Sequence, residues 1–206
     1  MRRRDLFRLA ALSAVLALGA APARAQALDV EAILNDPQAP TSGNPKGDVT
    51  IVAFLDYNCP YCKKSAPDLA RVVKEDGRIR VVYKDWPVIT EASVYGAQLA
   101  LAAGFQGKYL AAHDALMGIP GRRIGEAQML QAVAAVPGLD MKRLQADIEA
   151  HGQEIIALLK RNRAQADQLG LRGTPTYLVG PLLASTLDYA SFKRAIAEAR
   201  RRQAGE

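Results

Sequence analysis

Val49-Thr50-Ile51-Val52-Ala53-Phe54-Leu55-Asp56-Tyr57-Asn58-Cys59-Pro60-Tyr61-Cys62 is the stretch on which the fold turns. Its first seven residues form a nearly continuous apolar, β-branched run of strand length, the pattern of a strand covered on both faces. The run feeds directly into Cys59 and Cys62. From Cys59 to about Asp76 the spacing becomes helical, with Ala66, Leu69, Ala70, Val72 and Val73 on an apolar side and Pro67 as a kink. Ile79-Arg80-Val81-Val82-Tyr83 reads as a second strand. Strand, helix and strand in so short a stretch form, by default, a right-handed parallel crossover.

Working outward, Leu28 to Leu34 is a short helix candidate, and Asn35 to Asp48 is turn-rich, with Pro37, Pro40, Gly43, Pro45 and Gly47. Residues 26–48 therefore read as an N-terminal arm, and 49–89 as the start of the core. Residues 90–171 change character to alanine, leucine, glutamine and charges. Helices are expected at about 91–103, 108–117, 126–135 and 140–169, forming an inserted all-helical subdomain. Strand character returns at Thr176-Tyr177-Leu178-Val179 and resumes at Leu182 to Ser185 as a hairpin. A helix capped by Asp188 and ending in Arg200-Arg201-Arg202 closes the second core segment, 172–206.

The first 25 residues carry a basic stretch, an apolar run from Leu9 and the small-x-small sequence Ala23-Arg24-Ala25. This is a secretory signal cut after Ala25, implying export to the periplasm. The apolar run is shorter than the roughly 20 residues that span a bilayer. Arg3-Arg4-Asp5-Leu6-Phe7 also resembles a twin-arginine export signal. Removing Arg2, Arg3, Arg4, Arg8, Arg24 and Asp5 takes the formal net charge from +6 to +2. The basicity belongs mostly to the signal, so charge gives a nucleic-acid partner no support.

Cys59 and Cys62 are the chain's 2 cysteines. Exported proteins use disulfides as staples. A bridge across so small a loop gains little as one, because the loop-closure term grows with loop length. Redox chemistry explains the spacing better. Cys59 falls at or just before the first helical turn, where backbone N–H groups and the helix dipole lower a thiol pKa from its free value of about 8.5. Pro60 suits the first helical position, where its missing N–H costs nothing. Cys59 is then the exposed attacking thiolate and Cys62 the resolving thiol. A closed zinc site needs about four ligands, and no second cysteine pair exists. His113 and His151 read as packing or surface residues. No metal site and no cofactor is assigned, with Cu(I) held by the thiolate pair as the alternative.

Phe54 to Lys64, FLDYNCPYCKK, together with Gly173-Thr174-Pro175-Thr176, resembles the DsbA-like branch of the thioredoxin superfamily. The order of parts agrees over nearly the whole mature chain. The resemblance implies an α/β thioredoxin-like fold with an inserted all-helical subdomain. It also implies a cis Pro175 against the cysteine pair, with Thr174 offering backbone groups to an extended substrate. Sequence alone would not say so, since about 5–6% of X–Pro bonds in folded proteins are cis. Pro60, Tyr61, Thr174 and Pro175 are thereby site residues beside Cys59 and Cys62.

The chain departs from the family in two places. Many members carry a buried acid six positions before the first cysteine, where this chain has Ala53, so the Cys62 proton needs another route. Tyr61 stands where the strongest oxidants have histidine, which points to a less extreme thiolate and a potential below theirs. The short arm points to a monomer rather than a trimeric isomerase. The motif pair, the export signal and the anion-stabilising helix end point to a dithiol oxidase acting on reduced or misoxidised exported proteins and recharged by a quinone-linked membrane partner, although the family's fold alone does not fix the direction of electron flow. The alternatives are a reductase or isomerase kept reduced by a membrane electron donor, and a peptide- or Cu(I)-binding protein.

Overall fold

The computed structural model describes residues 29–205. The signal, its cleavage after Ala25 and the twin-arginine sequence lie outside the described residues. After α1 (Val30–Leu34), the chain forms β1 (Thr41–Gly43), β2 (Val49–Leu55), α2 (Pro60–Asp76) and β3 (Ile79–Asp85). Four helices follow: α3 (Glu91–Gly104), α4 (Tyr109–Gly118), α5 (Glu126–Ala134) and α6 (Met141–Gln168). The hairpin β4 (Thr176–Val179) and β5 (Leu182–Ser185) then leads to α7 (Tyr189–Ala204).

The five strands lie in the order β1-β3-β2-β4-β5. β2 and β3 are parallel, from Val49↔Ile79 to Leu55↔Asp85, as a crossover through α2 requires. β4 runs antiparallel to β2, which sets Ala53 opposite Tyr177. The alternation of β2 sends its side chains into two cores. Val49, Ile51, Ala53 and Leu55 join Leu69 and Val72 of α2 and Phe192 and Ile196 of α7. Val52 and Phe54 face Ile33, Trp86 and Ala166 on the other side. The central strand is thus covered on both faces, as its apolar run predicts.

Two local readings change. The arm contains β1, which pairs antiparallel with β3 at Thr41↔Val82. Its three residues earn strand geometry from that neighbour, not from a pattern of their own. β3 extends two residues beyond Tyr83, because Lys84 and Asp85 are buried rather than exposed at its end. α2, with Pro67 inside it, ends at Asp76 as its spacing predicts, and Gly77, with a φ of 69°, supplies the left-handed cap.

Lys84 is fully buried, and its Nζ donates to Asp36 Oδ2 at 3.1 Å. Arg161 of α6 grips the same carboxylate through Nε at 2.9 Å and Nη2 at 3.0 Å. Burial pushes the Asp36 pKa up, but Arg161, the Gln38 N–H and Lys84 outweigh it and hold the carboxyl below its ordinary value. One carboxylate therefore ties the arm, β3 and α6 together. Among the described residues, no helix is long and apolar enough to cross a membrane.

Candidate active site

The strand-to-helix turn puts Cys59 at the N-cap of α2, with Pro60 in the first turn. Cys59 Sγ accepts from Cys62 N at 3.4 Å, so the sulfur meets the backbone donors that an α-helix leaves free at its start. Both cysteines are free. The Thr174–Pro175 bond is cis, and Cys59 Sγ donates to Thr174 O at 3.1 Å. The turn before β4 therefore lies against the cysteine turn, and the structure brings the six residues picked out in the sequence together. Tyr61 projects from it, 59% exposed.

The sulfurs differ electrically. The Cys59 pKa falls from the ordinary 9.0 to about 6; the hydrogen bond from the Cys62 thiol is the largest cause, opposed by burial. The Thr174 side chain and the backbone N–H groups of Cys62 and Tyr61 lower it further. As a thiol Cys59 uses the Thr174 carbonyl; as a thiolate it needs donors. The Thr174 hydroxyl, buried and otherwise without a partner, is one. Burial, then the bond to Cys59, pushes the Cys62 thiol far up.

Exposure departs from expectation. Cys59 is only 2% exposed, against 0% for Cys62. The cis-proline turn covers the attacking sulfur, a contact made by residues far downstream. The order of the two is as expected.

Sequence reasoning missed the groups that hold the loop. Asp56 is buried, and its carboxylate accepts from Asn58 N at 2.7 Å, Ser93 Oγ at 2.7 Å, Val88 N at 2.8 Å and Ile89 N at 3.0 Å. It orders the loop. The Asn58 side chain donates to Thr90 Oγ1 at 2.7 Å and Ile124 O at 3.1 Å, and accepts from Ile124 N at 2.7 Å. Asx-type turns hint at such roles, but the partners are invisible in the sequence.

Below Cys62, Ser65 Oγ donates to Cys62 O at 3.3 Å and pairs with Tyr177 OH at 2.5 Å. Tyr177 and Tyr83 flank Ala53, the position of the family's acid, in the sheet. A buried carboxyl does exist nearby on β3: Asp85 accepts from Tyr109 OH at 3.0 Å, and burial raises its pKa to about 7. His113 packs among tyrosines, with Nδ1 3.0 Å from Tyr57 OH. His151 stacks on Phe105 and pairs with Glu154.

Residues 35–198 match the sequence profile described as Thioredoxin. The chain belongs to the thioredoxin family. A thioredoxin-like oxidoreductase of Silicibacter pomeroyi is 41% identical, with 84% of this chain and 98% of that one covered and a TM-score of 0.77. The thiol-disulfide exchange protein α-DsbA2 of Wolbachia pipientis is 28% identical over 82% of this chain and 90% of its own, with a TM-score of 0.75. A periplasmic thioredoxin-like protein of Salmonella enterica serovar Typhimurium is 28% identical, covering 82% and 94%, at a TM-score of 0.68. The DsbA-like resemblance and the thioredoxin-like α/β fold both hold. Among curated proteins, the Na(+)/H(+) antiporter NhaA 1 of Salinispora arenicola is 30% identical over 141 residues, 66% of this chain and 21% of the antiporter. The chain thus spans about a fifth of that relative's length.

The thioredoxin-family site makes a direct pH prediction. The ultraviolet thiolate absorbance of the reduced protein titrates with a midpoint of about 6. A midpoint near the free value of about 8.5 would show that the helix end and Cys62 do not stabilise the anion. Folding lowers this pKa, so the thiolate's stabilisation of the reduced fold is complete above pH 9.0 and disappears as the pH falls through about 6.

Proposed function

We propose that the protein is a periplasmic thiol–disulfide oxidoreductase, a dithiol oxidase that introduces disulfides into exported proteins through Cys59. The observation carrying this reading is the asymmetry of the pair: Cys59 is lowered to about 6 at a helix N-cap, while Cys62 is buried and raised. A stabilised thiolate favours the reduced form and makes the disulfide the stronger oxidant. The exchange chemistry named for α-DsbA2 supports the same class.

A substrate thiolate attacks Cys59 Sγ; a substrate–Cys59 bond forms, the Cys59–Cys62 bond breaks, and Cys62 leaves and takes a proton. The substrate's second thiolate then attacks its own sulfur in the mixed disulfide and expels Cys59 as a thiolate. The substrate loses two electrons and two protons. The protein's disulfide gains the electrons, one proton stays on Cys62 and the other passes to solvent. A quinone-linked membrane partner removes the two electrons. Pro60 and Tyr61 shape the turn, and Thr174 and Pro175 face the incoming peptide. The inserted helices, residues 90–171, act as a subdomain over the loop, and the protein works as a monomer after cleavage at Ala25.

The deciding experiment equilibrates the pair against glutathione. A potential of about −120 to −180 mV is expected for an oxidant or isomerase. A value near about −270 mV reverses the electron flow and makes the protein a reductant fed by a membrane donor.

A further inference from the structure

We infer that the site selects substrates carrying a carboxylate side chain beside the reacting cysteine, an inference that rests on the exchange reaction proposed above. Two clefts flank Cys59. One, of about 410 Å³, begins at Pro60 and is lined by Lys63, Lys64, Ile119, Pro120 and Arg122. The other, of about 490 Å³, contains Thr174 and Pro175 and is bordered by Arg172 and Leu183. No aspartate or glutamate lines either cleft.

The cations are placed to act on a substrate. Lys63 Nζ donates to Ile119 O at 2.7 Å and holds the loop from Ile119 to Arg122 against the first turn of α2. Lys64, Arg122 and Arg172 are exposed, and none is in an ion pair among the described residues. Arg200, by contrast, is bound by Asp48 and Asp76 far from the site. Asp68, one turn beyond Lys64, does not line the cleft. Asp56, the acid nearest the loop in sequence, is turned inward and fully engaged.

A peptide joined to Cys59 places its neighbouring side chains within this ring. A glutamate there meets Lys64 and Arg122; a lysine is repelled by both. Exposed pairs are weak individually, about fivefold at most in an equilibrium. Attraction in one peptide set against repulsion in the other gives a preference of about tenfold at low salt, falling as salt shortens the roughly 10 Å screening length of 0.1 M solutions.

The test measures thiol oxidation by the full-length oxidised protein of three dithiol peptides that differ only in Glu, Gln or Lys beside the first cysteine. The expected result is a Glu-to-Lys rate ratio of about ten that shrinks with salt and inverts in the Lys64→Glu/Arg122→Glu variant. The milder Lys64→Gln/Arg122→Gln variant should bring the ratio close to one. A wild-type ratio within about twofold of unity, or one that both variants leave unchanged, overturns the inference. The Gln peptide separates the two proposals, since its oxidation by wild-type protein shows that exchange occurs whatever the charge preference.

Discussion

Cys59→Ala abolishes disulfide exchange, while Cys62→Ala yields a protein that captures a partner and holds it. The contrast follows from the helix end. Only Cys59 combines contact with the cis-proline turn and a pKa lowered to about 6. With oxidised glutathione, the Cys59 thiolate attacks one sulfur, a mixed disulfide forms and glutathione thiolate departs. Wild-type Cys62 then attacks Cys59 and expels the second glutathione. In Cys62→Ala that step has no nucleophile, so the adduct persists and intact-mass measurement shows one glutathione per chain. Loss of the Cys62 thiol also removes the largest cause of the lowered Cys59 pKa, so capture near neutrality is slower than in wild type. Exchange retained by Cys59→Ala, or an adduct carried on Cys62, would reverse the assignment.

Asp36→Ala costs about 3–5 kcal/mol of folding stability, the range for removing one partner of a buried ion pair. Lys84 is fully buried, and Asp36 is the carboxylate that meets its ammonium, so the substitution strands a charge beneath the sheet. Arg161 also loses its carboxylate but is 36% exposed at the side chain and can turn toward water. Asp36→Leu/Lys84→Met should recover most of the loss, because exchanging a buried pair for apolar side chains is often neutral. Urea unfolding of the two variants measures the difference. A single substitution as mild as a surface change, within about 0.5 kcal/mol, would show that water reaches Lys84.

Those two effects also mark what the sequence could and could not reveal. β2 and α2 were legible because a β-branched run and a C-P-Y-C turn each carry a local pattern. Helix bounds in the block from α3 to α6 came within a residue or two, since caps such as Thr90 and Asp140 are local signals. β1 was not legible, because Thr41-Ser42-Gly43 becomes a strand only by pairing with β3. The apolar pattern of β3 stops at Tyr83, and the burial of Lys84 and Asp85 depends on Asp36, Arg161 and Tyr109, which complete their environments from distant positions. Cys59 and Cys62 stand out as candidates by spacing and position. Thr174 and Pro175 came through family resemblance, and Asp56 and Asn58 were missed because their partners lie on other elements.

Those two residues make the cysteine turn a poor candidate for a portable cassette. A chimaera receiving only Asn58 to Cys62 would import an amide side chain fitted to Thr90 and Ile124, with nothing in the host to meet it. If it also took Asp56, a buried carboxylate would arrive without the Val88, Ile89 and Ser93 donors. Successful recombination between relatives must therefore carry the turn, the segment from Trp86 to Ser93 and the contact at Ile124 as a single block. Drift in that block is inherited by the sulfur even when no residue near it has changed.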